Sequence, residues 1–371
     1  MIRSEEFFEC LSEYGLDFFA GVPDSLLKSP CAYLAENSVS YYITANEGNA
    51  VALAAGHYLA TGKAAVVFMQ NSGIGNAVNP LLSLADELVY DIPMLLLTGW
   101  RGEPGVPDEP QHKKQGAVTL ALYEAMGIET LVLGDNFREQ LAYCAEKISS
   151  ERKRIALIVK KGTFAEYVSA ASPEKSGALS RERALELIAD VLSPEDLSVC
   201  TTGKASRELY EIRIRRAEGH ARDFLTVGSM GHASSIALGI SLSTTRRVFC
   251  IDGDGAFLMH MGAAAVNAQN APENLRYIII NNGAHESVGG QKTVARDIDV
   301  AAILSACGWQ RVLCASTETE LLNALPKLKA AARSALVVNT DISSRENLGR
   351  PRETPRENMA LFMENLRRGA K

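Results

Sequence analysis

The stretch CIDGDGAFLMHMGAAAVNAQNAPENLRYIIINN, residues 250–282, decides the fold. An apolar run of strand length leads into Asp254, which glycines flank, and a second apolar run ends at Asn282. A helix-like segment joins the two runs, which is typical of parallel strands connected by a crossover helix. Because parallel strands end at the same edge of a sheet, we expect Asp254 and Asn282 at one edge, where ligands bind in such folds.

The residues around Asp254 favour binding of an anion and a metal ion. Gly253 and Gly255 allow a backbone to approach an anion closely, and the helix that follows offers its N-terminus to a phosphate. One carboxylate and one amide oxygen, with a diphosphate and water, suit Mg²⁺. A simple turn with a helix cap would explain the Gly-Asp-Gly motif equally well. The paired asparagines after the next strand favour the metal.

The same alternation of strand-length and helix-like segments continues on both sides. Helical patterns such as NAVNPLLSLADEL (76–88) lie between apolar runs, and an apolar strand is expected to have both of its faces covered. The sequence therefore predicts an α/β fold of two doubly wound parallel-sheet domains, without a middle domain. The predicted strands span 64–69, 93–98, 129–133, 154–160, 197–202, 223–227, 246–252, 275–281, 311–315 and 335–339. The predicted parts are a first domain at 1–170, a linker at 171–180, a second domain at 181–345 and a tail with a short helix at 346–371.

Composition limits the classes of function. Of 371 residues, 47% are apolar and 22% charged, which supports a large core, and the net charge of -6 argues against general affinity for nucleic acid. There is no apolar run of membrane-spanning length and no signal-like start, so we expect a cytoplasmic protein that binds no membrane. The seven cysteines form no CxxC pair and are expected to be buried thiols in a reducing compartment.

Three motifs together resemble those of thiamine-diphosphate enzymes. They are the stretch at 250–282, LTVGSMGHASS at 225–235 and ITANEGNAVALAAG at 43–56. The resemblance implies thiamine diphosphate and Mg²⁺ as cofactors, a first domain that binds the pyrimidine and a second that binds the diphosphate. It implies three protein ligands for the metal: Asp254, Asn282 and the Ala284 carbonyl.

The resemblance also assigns contacts with the cofactor. Glu47 would share a proton with a ring nitrogen of the aminopyrimidine, Met230 would wedge between the two rings, and the Gly228 carbonyl would accept from the exocyclic amine. Taken alone, Glu47 would be an ordinary helix cap and Met230 an ordinary core residue. The cofactor-binding residues implied are Glu47, Thr202, Gly203, Gly228, Ser229, Met230, Gly253, Asp254, Gly255, Ala256 and Asn282.

These motifs fall in different halves of the chain. The family builds its site between the pyrimidine-binding domain of one subunit and the diphosphate-binding domain of another, so the resemblance implies a dimer or larger assembly. Two other classes are alternatives: a non-catalytic subunit with the same fold, and a NAD-dependent dehydrogenase. Retention of Glu47, Asp254 and Asn282 argues against the first. The second would need a GxGxxG after the first strand of a half, which is absent.

Three further stretches resemble those of phosphonopyruvate decarboxylases: GVPDSLL (21–27), TGWRGEPGVPDEPQHKKQG (98–116) and TTGKASREL (201–209). They imply a small anionic 2-keto acid as substrate, with sulfopyruvate as the close alternative to phosphonopyruvate. His112 matches the first histidine of a two-histidine motif in pyruvate decarboxylases, whereas Lys113 replaces the second. A dianionic substrate in a closed site needs such cations.

Asp24 would act in proton transfer, although a turn role after Pro23 is an equal alternative. His285 would point toward the reacting region. Arg296 is a further candidate cation beside those of the predicted site. The catalytic residues implied are Glu47, Asp24, His112 and His285. The substrate-binding residues implied are Asp24, Asn71, Ser72, Arg101, His112, Lys113 and Lys292.

Overall fold

A computed structural model of the chain describes residues 1–38, 40–169, 179–345 and 347–368. The described residues fall into two compact units, Met1–Ser172 (unit 1) and Pro173–Lys371 (unit 2). Only the last two residues of the predicted linker, 171–180, are described, so the linker stays a prediction.

Unit 1 is built on one six-stranded sheet. Its strand order is β2-β1-β3-β4-β6-β5, and every neighbouring pair is parallel. The strands are β1 Phe19–Gly21, β2 Tyr41–Ile43, β3 Ala65–Gln70, β4 Met94–Gly99, β5 Glu129–Val132 and β6 Arg154–Val159. The α-helices are α1 Ser4–Glu13, α2 Lys28–Asn37, α3 Glu47–Thr61, α4 Ile74–Ser83, α5 Pro110–Ala125 and α6 Phe137–Glu151.

Unit 2 repeats this architecture. Its sheet has the order β13-β14-β10-β9-β7-β8, again parallel throughout, and a two-stranded antiparallel ribbon, β11-β12, follows β10. The strands are β7 Leu197–Cys200, β8 Asp223–Leu225, β9 Val248–Gly253, β10 Leu275–Asn281, β11 Ala284–His285, β12 Gln291–Lys292, β13 Arg311–Ala315 and β14 Ser334–Asn339. The α-helices are α7 Arg181–Val191, α8 Lys204–Arg215, α9 Ala233–Ser241, α10 Asp254–Met259, α11 Gly262–Asn270, α12 Val300–Cys307, α13 Glu318–Ala330 and α14 Pro355–Arg368.

Both faces of each sheet are covered, which explains the uninterrupted apolar runs. Along β3, Val66 and Phe68 join one apolar cluster while Val67 and Met69 join another on the opposite face. Strand β10 divides its residues between two clusters in the same way. The predicted pair of doubly wound parallel-sheet domains is therefore confirmed.

Some local predictions were wrong. Strand β1 was not predicted because three residues are too short for a pattern; its Gly21 leaves no room for a side chain, since a Cβ there would lie 2.0 Å from the Phe68 carbonyl oxygen. The helix predicted at 76–88 begins at Ile74 and ends at Ser83. It ends there because the next two backbone N–H groups both donate to the Pro80 carbonyl, turning the chain.

The cysteine prediction holds for most positions. Five of the seven are buried, but Cys307 is half-buried and Cys314 is exposed on the edge strand β13. None of them forms a disulfide within the described residues. The cytoplasmic location stays a prediction. Over the described ranges, no helix combines the length and the apolar character needed to cross a membrane.

Candidate active site

Glu47 lies at the first position of α3 in unit 1. The chain enters this helix through Asn46, whose extended backbone and side-chain oxygen cap the N–H of Asn49 at 3.0 Å. With the cap supplied by its neighbour, the Glu47 carboxyl is not needed for capping and turns inward, where it is only 4% exposed. The ordinary explanation of a helix-capping glutamate therefore does not apply.

The loop and helix after β3 surround the Glu47 carboxyl. The Asn76 Nδ2 donates to Oε2 at 2.7 Å, and a Cβ on Gly73 would lie only 2.1 Å from Oε1. Burial raises the pKa of Glu47, against the opposing effect of the Asn76 hydrogen bond. Such a carboxyl is suited to hold and share a proton. Sequence reasoning did not identify Asn76 or Gly73, although both follow closely after the predicted substrate residues Asn71 and Ser72.

Asp24 is fully buried where β1 ends. Its carboxyl accepts from the Leu26 N–H at 3.1 Å, and it occupies the space that a side chain at Gly99 would need, with Oδ2 2.0 Å from that Cβ position. Burial raises the pKa of Asp24 to about 6, although the Leu26 hydrogen bond and the Arg101 charge oppose the rise. Asp24 is thus a turn cap and also a carboxyl that can carry a proton near neutral pH.

Arg101 and Asn71 have internal partners in unit 1. The Asn71 amide donates to the Arg101 carbonyl at 2.8 Å and to the Thr119 hydroxyl at 2.9 Å, so both of its N–H bonds are used. The Arg101 guanidinium forms a two-pronged pair with Asp108 at 2.8 and 2.5 Å and donates to Ser25. This geometry gives Asn71 a structural role, and its contact with the substrate stays a prediction. Arg101, which lines a cavity of about 440 Å³, keeps two N–H groups.

The predicted substrate residues of α5 differ in exposure. His112 is buried in the first turn, and burial, with the Arg101 charge, lowers its pKa, so the ring is neutral at pH 7. Lys113 is exposed, as is Lys114. Ser72 lies half-buried and accepts from the Gln70 amide at 2.5 Å. Of these four residues, His112 is therefore the one whose side chain is buried.

In unit 2, the carboxyl edge of the sheet brings Asp254 and Asn282 to neighbouring strand ends. Strands β9 and β10 pair in parallel, with Gly253 opposite Ile280, so the residues that follow project from the same edge. Asp254 is 3% exposed, and its Oδ2 accepts from the Thr293 hydroxyl at 2.5 Å. Burial raises its pKa, although the Thr293 hydrogen bond opposes this. The backbone N–H groups of Asp254 and Gly255 also bond to this carboxyl. A carboxylate has about four lone-pair sites, so it keeps capacity for a cation.

The loop after β10 completes the predicted donor set. The Asn282 Oδ1 accepts from the Ala284 N–H at 3.1 Å, and its Nδ2 donates to Glu286 at 3.0 Å. One lone pair of Oδ1 thus remains for a metal ion. No group of three or more His, Cys, Asp or Glu side chains that could hold a metal occurs among the described residues. The predicted set contains a single carboxylate, so its chemistry fits Mg²⁺ without such a group.

The loop with the predicted wedge residue lies against the same helix start. A Cβ on Gly255 would lie 3.0 Å from the His285 ring and 3.3 Å from the Met230 Cε, so these two side chains meet over a glycine that has to stay small. Burial lowers the pKa of His285 to about 4, so this ring is also neutral at pH 7. Ser229 has φ 48°, a strained conformation for a residue other than glycine.

The other predicted contacts of unit 2 have these positions. The Thr202 hydroxyl accepts from the Gly228 N–H at 3.1 Å, which ties the two predicted cofactor loops together. Gly203 has φ 99° and precedes α8, while Ala256 is buried in α10. Lys292 is exposed on β12, opposite Ala284. Arg296 donates to the Thr340 carbonyl at 2.5 Å.

Comparisons with known proteins agree with this geometry. Residues 3–122 match the family model described as "Thiamine pyrophosphate enzyme, N-terminal TPP binding domain", and residues 201–339 match the corresponding C-terminal TPP binding domain. Thiamine pyrophosphate is another name for thiamine diphosphate. The chain is 34% identical to a phosphonopyruvate decarboxylase of Streptomyces hygroscopicus, over 98% of this chain and 94% of that protein. The chain belongs to the thiamine-diphosphate-dependent decarboxylases.

Two further relatives of this decarboxylase family act on two different substrates, phosphonopyruvate and sulfopyruvate, according to their names. A phosphonopyruvate decarboxylase of Streptomyces viridochromogenes is 34% identical over 96% of this chain and 93% of that protein. A sulfopyruvate decarboxylase of Methanosarcina acetivorans is 30% identical over 88% of each. One matched cofactor-binding domain lies in each unit: Glu47 falls in the first, and Asp254 and Asn282 fall in the second.

Proposed function

We propose that this decarboxylase converts phosphonopyruvate to phosphonoacetaldehyde and carbon dioxide without oxidation, using thiamine diphosphate and Mg²⁺. The observation that carries the substrate assignment is the 34% identity to two phosphonopyruvate decarboxylases over nearly the whole of both chains. A match of that extent includes the substrate loops at 21–27 and 98–116 as well as the cofactor motifs.

The residues of unit 1 fit a part in proton handling. Thiamine diphosphate, when bound, supplies the electron sink that a 2-keto acid lacks. Glu47, buried and with a raised pKa, would hold the proton that it shares with the pyrimidine ring, while Asn76 fixes the direction of its carboxyl. The carbon that loses carbon dioxide must then receive a proton. Asp24 is a suitable donor because burial raises its pKa to about 6.

The residues of unit 2 fit a magnesium diphosphate. Asp254, Asn282 and the Ala284 carbonyl would hold Mg²⁺, and Thr202 and Gly203 would contact the diphosphate. The support is that Asp254 and Asn282 place a carboxylate and an amide oxygen at neighbouring strand ends of one sheet edge, and that one lone pair of the Asn282 oxygen is left by its bond to the Ala284 N–H. Replacing Asp254 by alanine should abolish the Mg²⁺-dependent binding of thiamine diphosphate.

We also propose that the chain assembles as a dimer or larger, with sites at subunit interfaces. The helix that begins at Glu47 supports this, because its outer side exposes Leu53 and Leu59 together with small residues. A second copy of the chain is the partner that we assign to this face, because the motifs for one cofactor are divided between the two units. Sedimentation equilibrium should therefore give no stable monomer at micromolar concentration.

The deciding experiment is steady-state turnover with phosphonopyruvate, sulfopyruvate and pyruvate, each with and without thiamine diphosphate and Mg²⁺. We expect release of carbon dioxide with phosphonopyruvate as the best substrate, and loss of turnover without either cofactor. Higher kcat/KM for sulfopyruvate would favour the alternative that the Methanosarcina relative supports. Turnover without added or retained thiamine diphosphate would reject the proposal.

A further inference from the structure

Glu286, which lies two residues after Ala284, is half-buried in unit 2 and contacts a predicted metal ligand. Its side chain is 9% exposed, and its Oε2 accepts from the Asn282 Nδ2 at 3.0 Å. The same oxygen pairs with Arg181, and its Oε1 pairs with Lys204 at 3.2 Å. No sequence pattern identifies this residue, because a glutamate in a polar loop is ordinarily a solvated charge.

An asparagine amide can bind a cation through its oxygen only, and its two ends have nearly the same shape. Something must therefore decide which end faces the metal. An ionised carboxylate can only accept hydrogen bonds, so the contact with Glu286 requires the NH₂ end of Asn282 on its side. The amide oxygen is then turned to the opposite side, where it accepts from the Ala284 N–H.

We propose that Glu286 is a positioning residue that fixes the amide orientation of Asn282 and so presents its oxygen to Mg²⁺. The inference rests on the Mg²⁺ site proposed above. Partners of this kind, behind the direct ligands, set ligand orientation in metal sites, and their removal commonly costs 10–100-fold in metal affinity.

The charges around Glu286 keep it in the form that the proposal needs. Arg181 pairs with one of its carboxyl oxygens and Lys204 with the other. Arg181 is itself held by Glu208 through two hydrogen bonds of 2.7 and 2.8 Å. The cluster therefore pairs two cations with two carboxylates, an arrangement in which the Glu286 oxygens act as hydrogen-bond acceptors.

Lys204 links this cluster to the other predicted cofactor loop. It is the first residue of α8 and directly follows Gly203. Glu286 thus ties the predicted diphosphate loop to the predicted metal loop. Displacing Glu286 is expected to weaken binding of Mg²⁺ and of the diphosphate together, because both loops would lose a shared anchor.

Glu208 offers a matched control. Glu286→Gln and Glu208→Gln each remove one buried carboxylate from Arg181 and leave the cluster with the same excess positive charge. Only Glu286 contacts Asn282. Retention of thiamine diphosphate by equilibrium dialysis against graded Mg²⁺ should show the Mg²⁺ midpoint raised about 10–100-fold in Glu286→Gln and changed less than about 3-fold in Glu208→Gln. Thermal unfolding of both variants reports the shared loss of stability.

An unchanged midpoint in Glu286→Gln, or equal shifts in the two variants, would overturn the positioning role. Failure of the proposed metal site looks different, because the wild-type chain would then retain thiamine diphosphate without Mg²⁺. The two failures are therefore distinguishable without measuring turnover.

A double mutant keeps the test decisive if Glu286→Gln folds poorly. Asn282→Asp places a second carboxylate against Glu286 and should weaken Mg²⁺ binding, because the two acceptors repel each other. Adding Glu286→Gln to Asn282→Asp restores a donor and should recover at least about 10-fold of that loss, as expected for two residues in direct contact. Multiplicative losses in the double mutant would instead show that the two residues act independently, and would overturn the proposal.

Discussion

Each unit buries a glutamate against an asparagine amide, and the two pairs have opposite properties. Glu47 of unit 1 accepts from Asn76 at 2.7 Å, and no cation of the described residues pairs with it, so burial raises its pKa. Glu286 of unit 2 accepts from Asn282 at 3.0 Å, and two cations hold its pKa low. The same kind of contact therefore has a different proposed role in each unit. In unit 1 the Asn76 amide positions the Glu47 carboxyl, and in unit 2 the Glu286 carboxyl positions the Asn282 amide.

The largest expected effect comes from removing the acid of unit 1. Glu47→Gln keeps the acceptor for Asn76 but cannot hold a carboxyl proton, so kcat for phosphonopyruvate should fall by about 10²–10⁴. Binding of thiamine diphosphate in equilibrium dialysis should change less than about 3-fold, because the shape of the side chain is kept. Normal turnover in this variant would show that Glu47 does not handle the proton. The contrast between Glu47 as an acid and Glu286 as a positioning residue would then be wrong.

The second buried acid of unit 1 makes a prediction about stability against pH. The pKa of Asp24 is about 6 in the folded chain and ordinarily about 3.8, so the folded chain keeps a proton that the unfolded chain releases. The contribution of Asp24 to stability should therefore be complete below about pH 4, fall as pH rises to about 6 and then level off. The loss by neutral pH should be about 3 kcal/mol at about 1.4 kcal/mol per pKa unit.

Urea unfolding of wild type and Asp24→Asn between pH 4 and 7.5 measures this effect. The variant should lose this part of the pH slope and keep the part that comes from Asp252 of unit 2, whose pKa burial also raises to about 6. If the free energy of unfolding changed with pH equally in the two proteins, the pKa of Asp24 would not be raised by folding, and the prediction would be wrong.

A smaller effect is expected from the packing around Glu47. In Gly73→Ala the new Cβ would lie 2.1 Å from the Glu47 Oε1, which must move away from its position beside Asn76. Displacement of about 1 Å at a reacting group can cost about 100-fold, so kcat should fall by about 10–100-fold. Gly75→Ala, two residues further on and inside α4, meets nothing within 4 Å and should keep its activity. Equal rates in the two variants would contradict this geometry.

The comparison also shows which parts of the site the sequence could predict. Asp254 and Asn282 were predictable because two strand ends of a parallel sheet share an edge, whatever lies between them. Thr293 and Asn76 were not predictable. Thr293 donates to Asp254 and Asn76 donates to Glu47, and in each case the tertiary fold brings together two residues that are far apart in the sequence. Asn76 lies in the first turn of α4 and Thr293 in a loop, and a polar residue at either kind of position can have many roles. The motifs therefore predict which residues bind, and the tertiary structure decides their orientation and their charge.

The smallest expected effect concerns an exposed charge. Lys113 replaces the second histidine of the two-histidine motif and lies on the surface of α5 in unit 1. If it attracts the phosphonate, Lys113→Ala should lower kcat/KM for phosphonopyruvate about 10-fold more than for pyruvate. Lys114→Ala, which removes the neighbouring exposed charge, should lower both about equally. Because solvent ions screen exposed charges, the difference should shrink as salt is raised from about 0.05 to 0.5 M, unlike the effects at the buried acids. Equal losses on both substrates in Lys113→Ala would place the selectivity for the dianion elsewhere in the chain.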